Sequence, residues 1–244
     1  MTRNTYLLPP PSAVAGLVGA ILGIPRTRLK SWSEEKNLLS GAELKKLEGF
    51  AVECARLFKL DRNAEQLKSL LNQFTKGSNK ACKEITELRP LKKSEALFGA
   101  TYKYAVSSSD EAMLEELLKR LRTLDFQYEI FGGNDYNFPL FINKPQKAKI
   151  IKSKIGRGYC PTMLLESLKA EKNYQVISTL RQLSASGPII VPGYVSAEVR
   201  EPYLFAYGAD LIVREELNTV DDGESRIFVY PAWKFVEVAD SWRD

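Results

Sequence analysis

Histidine is absent from this chain of 244 residues. That single absence removes Ser-His-Asp and Cys-His nucleophile pairs, HExxH metal sites and histidine general bases together. Catalysis by Asp, Glu, Lys or Tyr stays open. Cysteine is scarce as well: Cys54, Cys82 and Cys160 form an odd set with wide gaps and no CxxC. They suit neither a disulfide framework nor a structural zinc site. No metal and no cofactor are therefore expected, and a reduced cytoplasm is the expected setting. Charge of one sign does not dominate: 35 Lys+Arg stand against 30 Asp+Glu, a formal net charge of +5. A case for nucleic-acid binding has to rest on where the charge lies. Long apolar runs are missing too. The candidate at residues 13–24 (AVAGLVGAILGI) stops well short of the ~20 residues needed to cross a membrane, so no membrane partner is expected. Prolines at 9–11 and at 25 bracket it, which favours a buried helix over a secretion signal, with Ser12 as N-cap and Gly23 and Pro25 at the end.

With 44% apolar and 27% charged residues the composition is that of a globular protein. Residues 33–88 read as two or three amphipathic helices inserted into the main fold. Ser33 is a helix start, and Leu44, Leu47, Ala51, Cys54, Leu57 and Phe58 form a helical stripe that Leu67, Leu70, Leu71 and Phe74 repeat. Residues 97–106 read as a strand, followed by a helix from about Asp110 capped by Ser107–109, with Met113, Leu114, Leu117, Leu118 and Leu121 on one face. Residues 126–131 read as the next strand, closed by a tight turn at Gly132-Gly133-Asn134-Asp135. Strand, helix, strand at this spacing fits the second half of a ferredoxin-like unit. Beyond Lys147, short strand-like runs at 148–155, 189–191, 211–213 and 227–238 alternate with turns, and 163–183 carries a later helical stripe. The fold class is α+β: a first domain over 1–146 that includes the 33–88 insertion, then a β-rich region over 147–244.

The segment 137–165 holds Lys144, Lys147, Lys149, Lys152, Lys154 and Arg157 and no acidic residue. At strand periodicity its lysine pairs point to one side, with a register change near Ile150-Ile151. Gly156-Arg157-Gly158-Tyr159 follows, where flanking glycines let an arginine and an aromatic approach a ligand. Basic residues beside an aromatic are what single-stranded nucleic acid uses, phosphates on the cations and a base on the ring. The competing reading is a solvated strand face or a lysine-guarded sheet edge. Arg26, Arg28 and Lys30 form a second basic cluster, read either as an RNA contact or as charge complementing a helix C-terminus. Tyr102 and Tyr104 share one strand face and are either a stacking platform or core. Adjacent acidic pairs such as Glu215-Glu216 and Asp221-Asp222 point apart and read as solvated surface.

The run Thr5-Tyr6-Leu7-Leu8-Pro9-Pro10-Pro11-Ser12, continuing through the helix to Leu22-Gly23, resembles the opening signature of the CRISPR-associated protein 5 family. A weaker echo lies at 128–136. That family belongs to the RAMP superfamily, built on ferredoxin-like (RRM-like) folds. The resemblance implies a non-catalytic RNA-binding subunit of a type I CRISPR surveillance complex (Cascade), capping the 5′ handle of the crRNA. Its implied partners are the crRNA, the backbone RAMP subunit, the large subunit, and target DNA near the protospacer-adjacent motif. One subtype of the family resembles an endoribonuclease that processes pre-crRNA with Tyr, Lys and His; this chain has no histidine, though Tyr159 and Lys154 could position a 2′-OH attack. A pure assembly scaffold is the third reading.

Overall fold

The computed structural model describes residues 2–3, 8–55, 69, 72–73, 76–77, 92–130, 139, 142–178 and 197–238. They fall into two compact units, residues 1–5 with 48–99, and residues 6–47 with 100–244. Both mix few helices with mainly antiparallel strands, an α+β architecture.

The larger unit opens with helix α1 (Pro11–Leu22). Pro10 is its N-cap and Pro11 its first helical residue, a place where the missing N–H costs nothing. Ser12, expected as the cap, lies inside the helix, its hydroxyl buried and without a partner among the described residues. Gly23 closes the helix in the left-handed region. A 3-10 turn (Arg26–Arg28) leads into α2 (Leu29–Glu35), which buries Leu29 and Trp32. Ser33 thus sits near the end of a helix, where its hydroxyl receives the Trp233 indole N–H at 3.2 Å.

Next comes strand β2 (Leu39–Lys46), at the centre of a sheet between β5 (Thr101–Ser107) and β12 (Tyr230–Pro231). Residues 40–46 are therefore strand where a helical stripe was expected. The reason is double burial. Gly41, Ala42, Glu43 and Leu44 are all covered, so no in–out alternation marks the strand. Helix α3 (Glu111–Thr123) follows β5, capped by Asp110, whose carboxylate accepts the Met113 N–H at 2.9 Å. Ser108 helps by accepting the Asp110 N–H at 3.0 Å. Helix α1 packs on β2 and on α3, and Val14, Val18, Ala42, Leu44, Met113 and Leu117 share one core.

Residues 126–130 form no strand. Their backbone serves α1 instead: the N–H groups of Gln127 and Tyr128 donate to Ile21 and Ala20 carbonyls at 3.4 and 3.0 Å. The expected turn at 132–135 lies outside the described residues.

The rest of this unit is organised by one long strand, β10 (Tyr203–Asp221). Along one edge it pairs with β6 (Lys149–Gly156) and β7 (Tyr159–Pro161); along the other with β8 (Leu165–Ser178) and β11 (Arg226–Phe228). The helix expected from 163 is thus a 3-10 turn (Thr162–Leu164) and then strand β8. Nine register pairs with β10 override a sequence that reads as helical. The strand expected over 227–238 is broken into β11, β12 and β13 (Val236–Val238), the last pairing with β9 (Ala197–Val199). Residues 189–191 lie outside the described set.

The smaller unit is a sheet in the order β1 (Thr2–Arg3), β4 (Lys92–Phe98), β3 (Gly49–Ala55), with β1 parallel to β4. Residues 49–55 are again strand where helix was expected, and the strand expected over 97–106 is two strands, β4 and β5, in different units. Of the remaining 56–88 segment, residues 69 and 72–73 are helical and 76–77 a turn; the other residues lie outside the described set.

The turn after β10 carries a testable electrostatic device. Burial alone would raise the Asp222 carboxyl from 3.8, but the Lys103 ammonium and the N–H groups of Ser225 and Glu224 outweigh it and bring it to about 2. A carboxyl depressed on folding adds stability that is present above its unfolded value and lost as pH falls through its folded one. Asp222→Asn keeps the turn acceptor and deletes the ion pair. It is expected to cost about 2 kcal/mol at pH 7, with the gap from the parent closing between pH 4 and 2 in urea melts. An equal gap at pH 7 and pH 2 would refute this origin.

Candidate nucleic-acid interface

The isoleucines at 150, 151 and 155 suit β6 to a pleated edge position. In β6, Lys152 and Lys154 are exposed on either side of buried Ser153, and Lys149 is exposed at its start. The chain leading in, 142–148, is irregular and carries exposed Lys144 and Lys147. Lys147 pairs with Glu115 of α3, both well exposed. Such a pair contributes little and yields readily to a phosphate. Lys144, Lys149, Lys152 and Lys154 have no ion-pair partner among the described residues.

The register change expected near Ile150-Ile151 does not occur there, since Lys149–Ser153 pair without a break with Asp221–Leu217; the irregularity lies further on and in the partner strand. Ile212 pairs with Ile155 and Leu217 with Ser153, so Val213–Glu216 of β10 stand opposite Lys154 alone. This bulge carries exposed Arg214 but also exposed Glu215 and Glu216, so the strip is mixed at that end. Exposed Lys169 on β8 adds charge to the same sheet. It went unmarked in the sequence because its segment reads as helix.

Arg157 and Tyr159 do different work from the lysines. The Arg157 guanidinium donates to Asp210 at 2.6 Å and to Glu43 at 3.0 Å. Glu43 lies in β2, its side chain only 3% exposed. Gly158, at φ 96°, lets the turn cross β2 so closely that a Cβ would stand 2.7 Å from the Ala42 carbonyl oxygen. Tyr159 is 1% exposed. Its ring meets Tyr203 and Phe205 edge-on at 4.8 and 5.5 Å, and its hydroxyl donates to the Leu8 carbonyl. A base has no face of this ring to stack on, and its hydroxyl is committed away from Lys154. Arg157 and Tyr159 thus fasten the end of β6 to the core, and the lysines before them are what solvent meets. Burial pushes the Cys160 thiol up to about 12, which removes it as a nucleophile.

The second cluster is separate in sequence and placement. Arg26 and Arg28 are exposed in the 3-10 turn after α1, and Lys30 is half-buried in α2. Tyr102 and Tyr104 lie on β5 with rings stacked at 6.0 Å. Tyr102 packs against the core while Tyr104 keeps 43% of its surface exposed. Neither the core reading nor the platform reading covers both. Among the described residues no cluster of acidic or cysteine side chains could hold a metal ion, and no helix is long and apolar enough to cross a membrane.

Residues 2–143 match the family model described as CRISPR-associated protein (Cas_Cas5). No curated protein and no solved structure matches the chain.

Proposed function

The chain belongs to the CRISPR-associated protein 5 family, and from that premise we propose that it is a non-catalytic crRNA-binding subunit of a type I surveillance complex. In this reading α1, β2, β5 and α3 are the remnant of a ferredoxin-like RAMP unit. The chain caps the 5′ handle of the crRNA and joins the backbone and large subunits in the cytoplasm, near the protospacer-adjacent motif of bound target DNA. The observation that carries the RNA contact is the exposed lysine strip from Lys144 to Lys154, four of whose five members lack a carboxylate partner among the described residues. Phosphates are held by point charges on β6 and on the irregular chain leading into it, and handle bases are read by groups around them.

The test is fluorescence anisotropy with a handle-bearing RNA against scrambled and duplex controls, across a salt series. Five lysines on five phosphates give a log–log slope of about −3.5 for a single strand. Replacing Lys149, Lys152 and Lys154 by alanine is expected to flatten the slope by about 2 and to weaken binding roughly 100-fold near 0.1 M salt. The same RNA run on a denaturing gel stays intact under this reading. Cleavage at one position would favour the endoribonuclease, and absence of binding with and without partner subunits would leave the scaffold.

A further inference from the structure

We propose a second single-stranded RNA contact, in which a base stacks on Tyr128 and its flanking phosphates meet Arg26, Arg28 and Arg122; it rests on the RNA-binding reading above and adds a subsite to it. Tyr128 is 50% exposed, yet its backbone is fixed. Its N–H donates to the Ala20 carbonyl at 3.0 Å, and that of Gln127 to Ile21 at 3.4 Å. The Gln127 side chain also lies against Gly23, where an added Cβ would stand 3.1 Å from its Cγ. A large aromatic held by its backbone and open on its ring loses little freedom on taking a base.

The same contacts bring the cations near. Tyr128 is tied to the last turn of α1, and Arg26 follows Gly23 by three residues, at most about 11 Å of chain. The end of α3 comes to the same place, since Arg120 in its last turn reaches the Ile21 carbonyl at 3.5 Å. Arg122 lies in that last turn, exposed. Arg26, Arg28 and Arg122 have no carboxylate partner among the described residues, whereas Arg120 is held by Glu116 at 2.7 Å. Asp125 and Glu129 are exposed in the same segment, so the count here is three open arginines to two acids. Two helix C-termini meeting here account for some of the arginines. They do not account for a half-exposed tyrosine on an anchored backbone. Guanidinium groups also suit the task, because they bind phosphate through paired donors and stack on bases themselves.

The experiment measures anisotropy of a fluorescein-labelled, handle-bearing RNA on the full chain. The variants are Tyr128→Ala, Tyr128→Trp, the triple Arg26→Ala/Arg28→Ala/Arg122→Ala, and the triple lysine variant described above. Tyr128→Ala is expected to weaken binding roughly tenfold with the salt slope unchanged, and Tyr128→Trp to retain it. The arginine triple is expected to flatten the slope by about 2. Thermal melts identify any variant that fails to fold, and the arginine triple carries the test if Tyr128→Ala does. If the lysine variant loses affinity while Tyr128→Ala and the arginine triple bind like the parent, this second contact is overturned and the first stands. If the parent binds no RNA, both fall. A loss seen only in assembly with partner subunits, with RNA affinity unchanged, would assign the patch to protein contact and overturn the proposal.

Discussion

Replacing Arg157 by alanine is expected to destabilise the larger unit by about 3 kcal/mol, the low end for removing one partner of a buried ion pair. The low end applies because the guanidinium keeps 25% of its exposure and Asp210 keeps 32%, while Glu43 keeps only 3%. Most of the cost is the stranded Glu43 carboxylate. One of its oxygens already has no hydrogen-bond partner among the described residues, and its other cation, Lys45, stands off at 3.4 Å. The sharper prediction is therefore the double variant. Arg157→Ala with Glu43→Gln is expected to be more stable than Arg157→Ala alone, because the uncompensated charge has gone. Arg157→Lys should recover only part of the loss, since one ammonium cannot serve both carboxylates as the guanidinium fork does. Denaturant titration of the four proteins measures each term. RNA affinity, corrected for the folded fraction, is expected to change little in Arg157→Ala. A tenfold loss in fully folded protein would return Arg157 to the RNA-contacting set.

Gly41→Ala is expected to be as damaging, for a reason of space alone. A Cβ at this position would stand 2.1 Å from the Phe228 carbonyl oxygen and 3.2 Å from Ile227 Cγ2. The obstacle at 2.1 Å is backbone, so no rotamer change relieves it. The crossing of β11 over β2 must open, at about 3 kcal/mol or more. At 2–4 °C per kcal/mol for a unit of this size, the melting temperature should fall by roughly 6–12 °C. Gly77→Ala is the matched control. An added Cβ meets nothing within 4 Å among the described residues, so the expected effect is the strain of a positive φ. Equal melting of Gly41→Ala and the parent would mean that β11 does not cross β2 this closely.

These two positions also explain what the sequence could and could not reveal. Helix α1 was legible because prolines and a terminal glycine bracket an apolar run, signals that act within a few residues. Helix α3 was legible through its apolar stripe, although Asp110 and not the serines before it is the cap. The lysine strip was visible as composition, and β6 supplied the alternation that places Lys152 and Lys154 outward. Strand β2 was illegible for the converse reason. Its character comes from burial under α1 and under β11, the latter far downstream in the chain, and its buried Glu43 depends chiefly on Arg157, 114 residues away. Tyr159 read as a ligand-facing aromatic because its neighbours in sequence are basic; its neighbours in space are Tyr203, Phe205 and Phe235. Strand β8 took its form from β10 against a helical pattern. Tyr128 passed as part of a strand, since nothing local announces that its N–H closes the end of another helix.

The closure of the core by residues near the C-terminus bears on how the chain is made. Trp233 reaches Ser33 across 200 residues, Tyr159 reaches Leu8 across 151, and Tyr230 pairs with Ser40. On the ribosome, α1 and β2 emerge long before β11, β12 and the other downstream strands that complete their cover. Contacts this distant in sequence carry a large loop-closure cost and slow the search for the native state. Assembly of the larger unit thus waits on synthesis of the chain through about residue 236. A nascent chain stalled anywhere before about residue 226 displays unshielded apolar surface and open strand edges, the substrate that holdase chaperones bind.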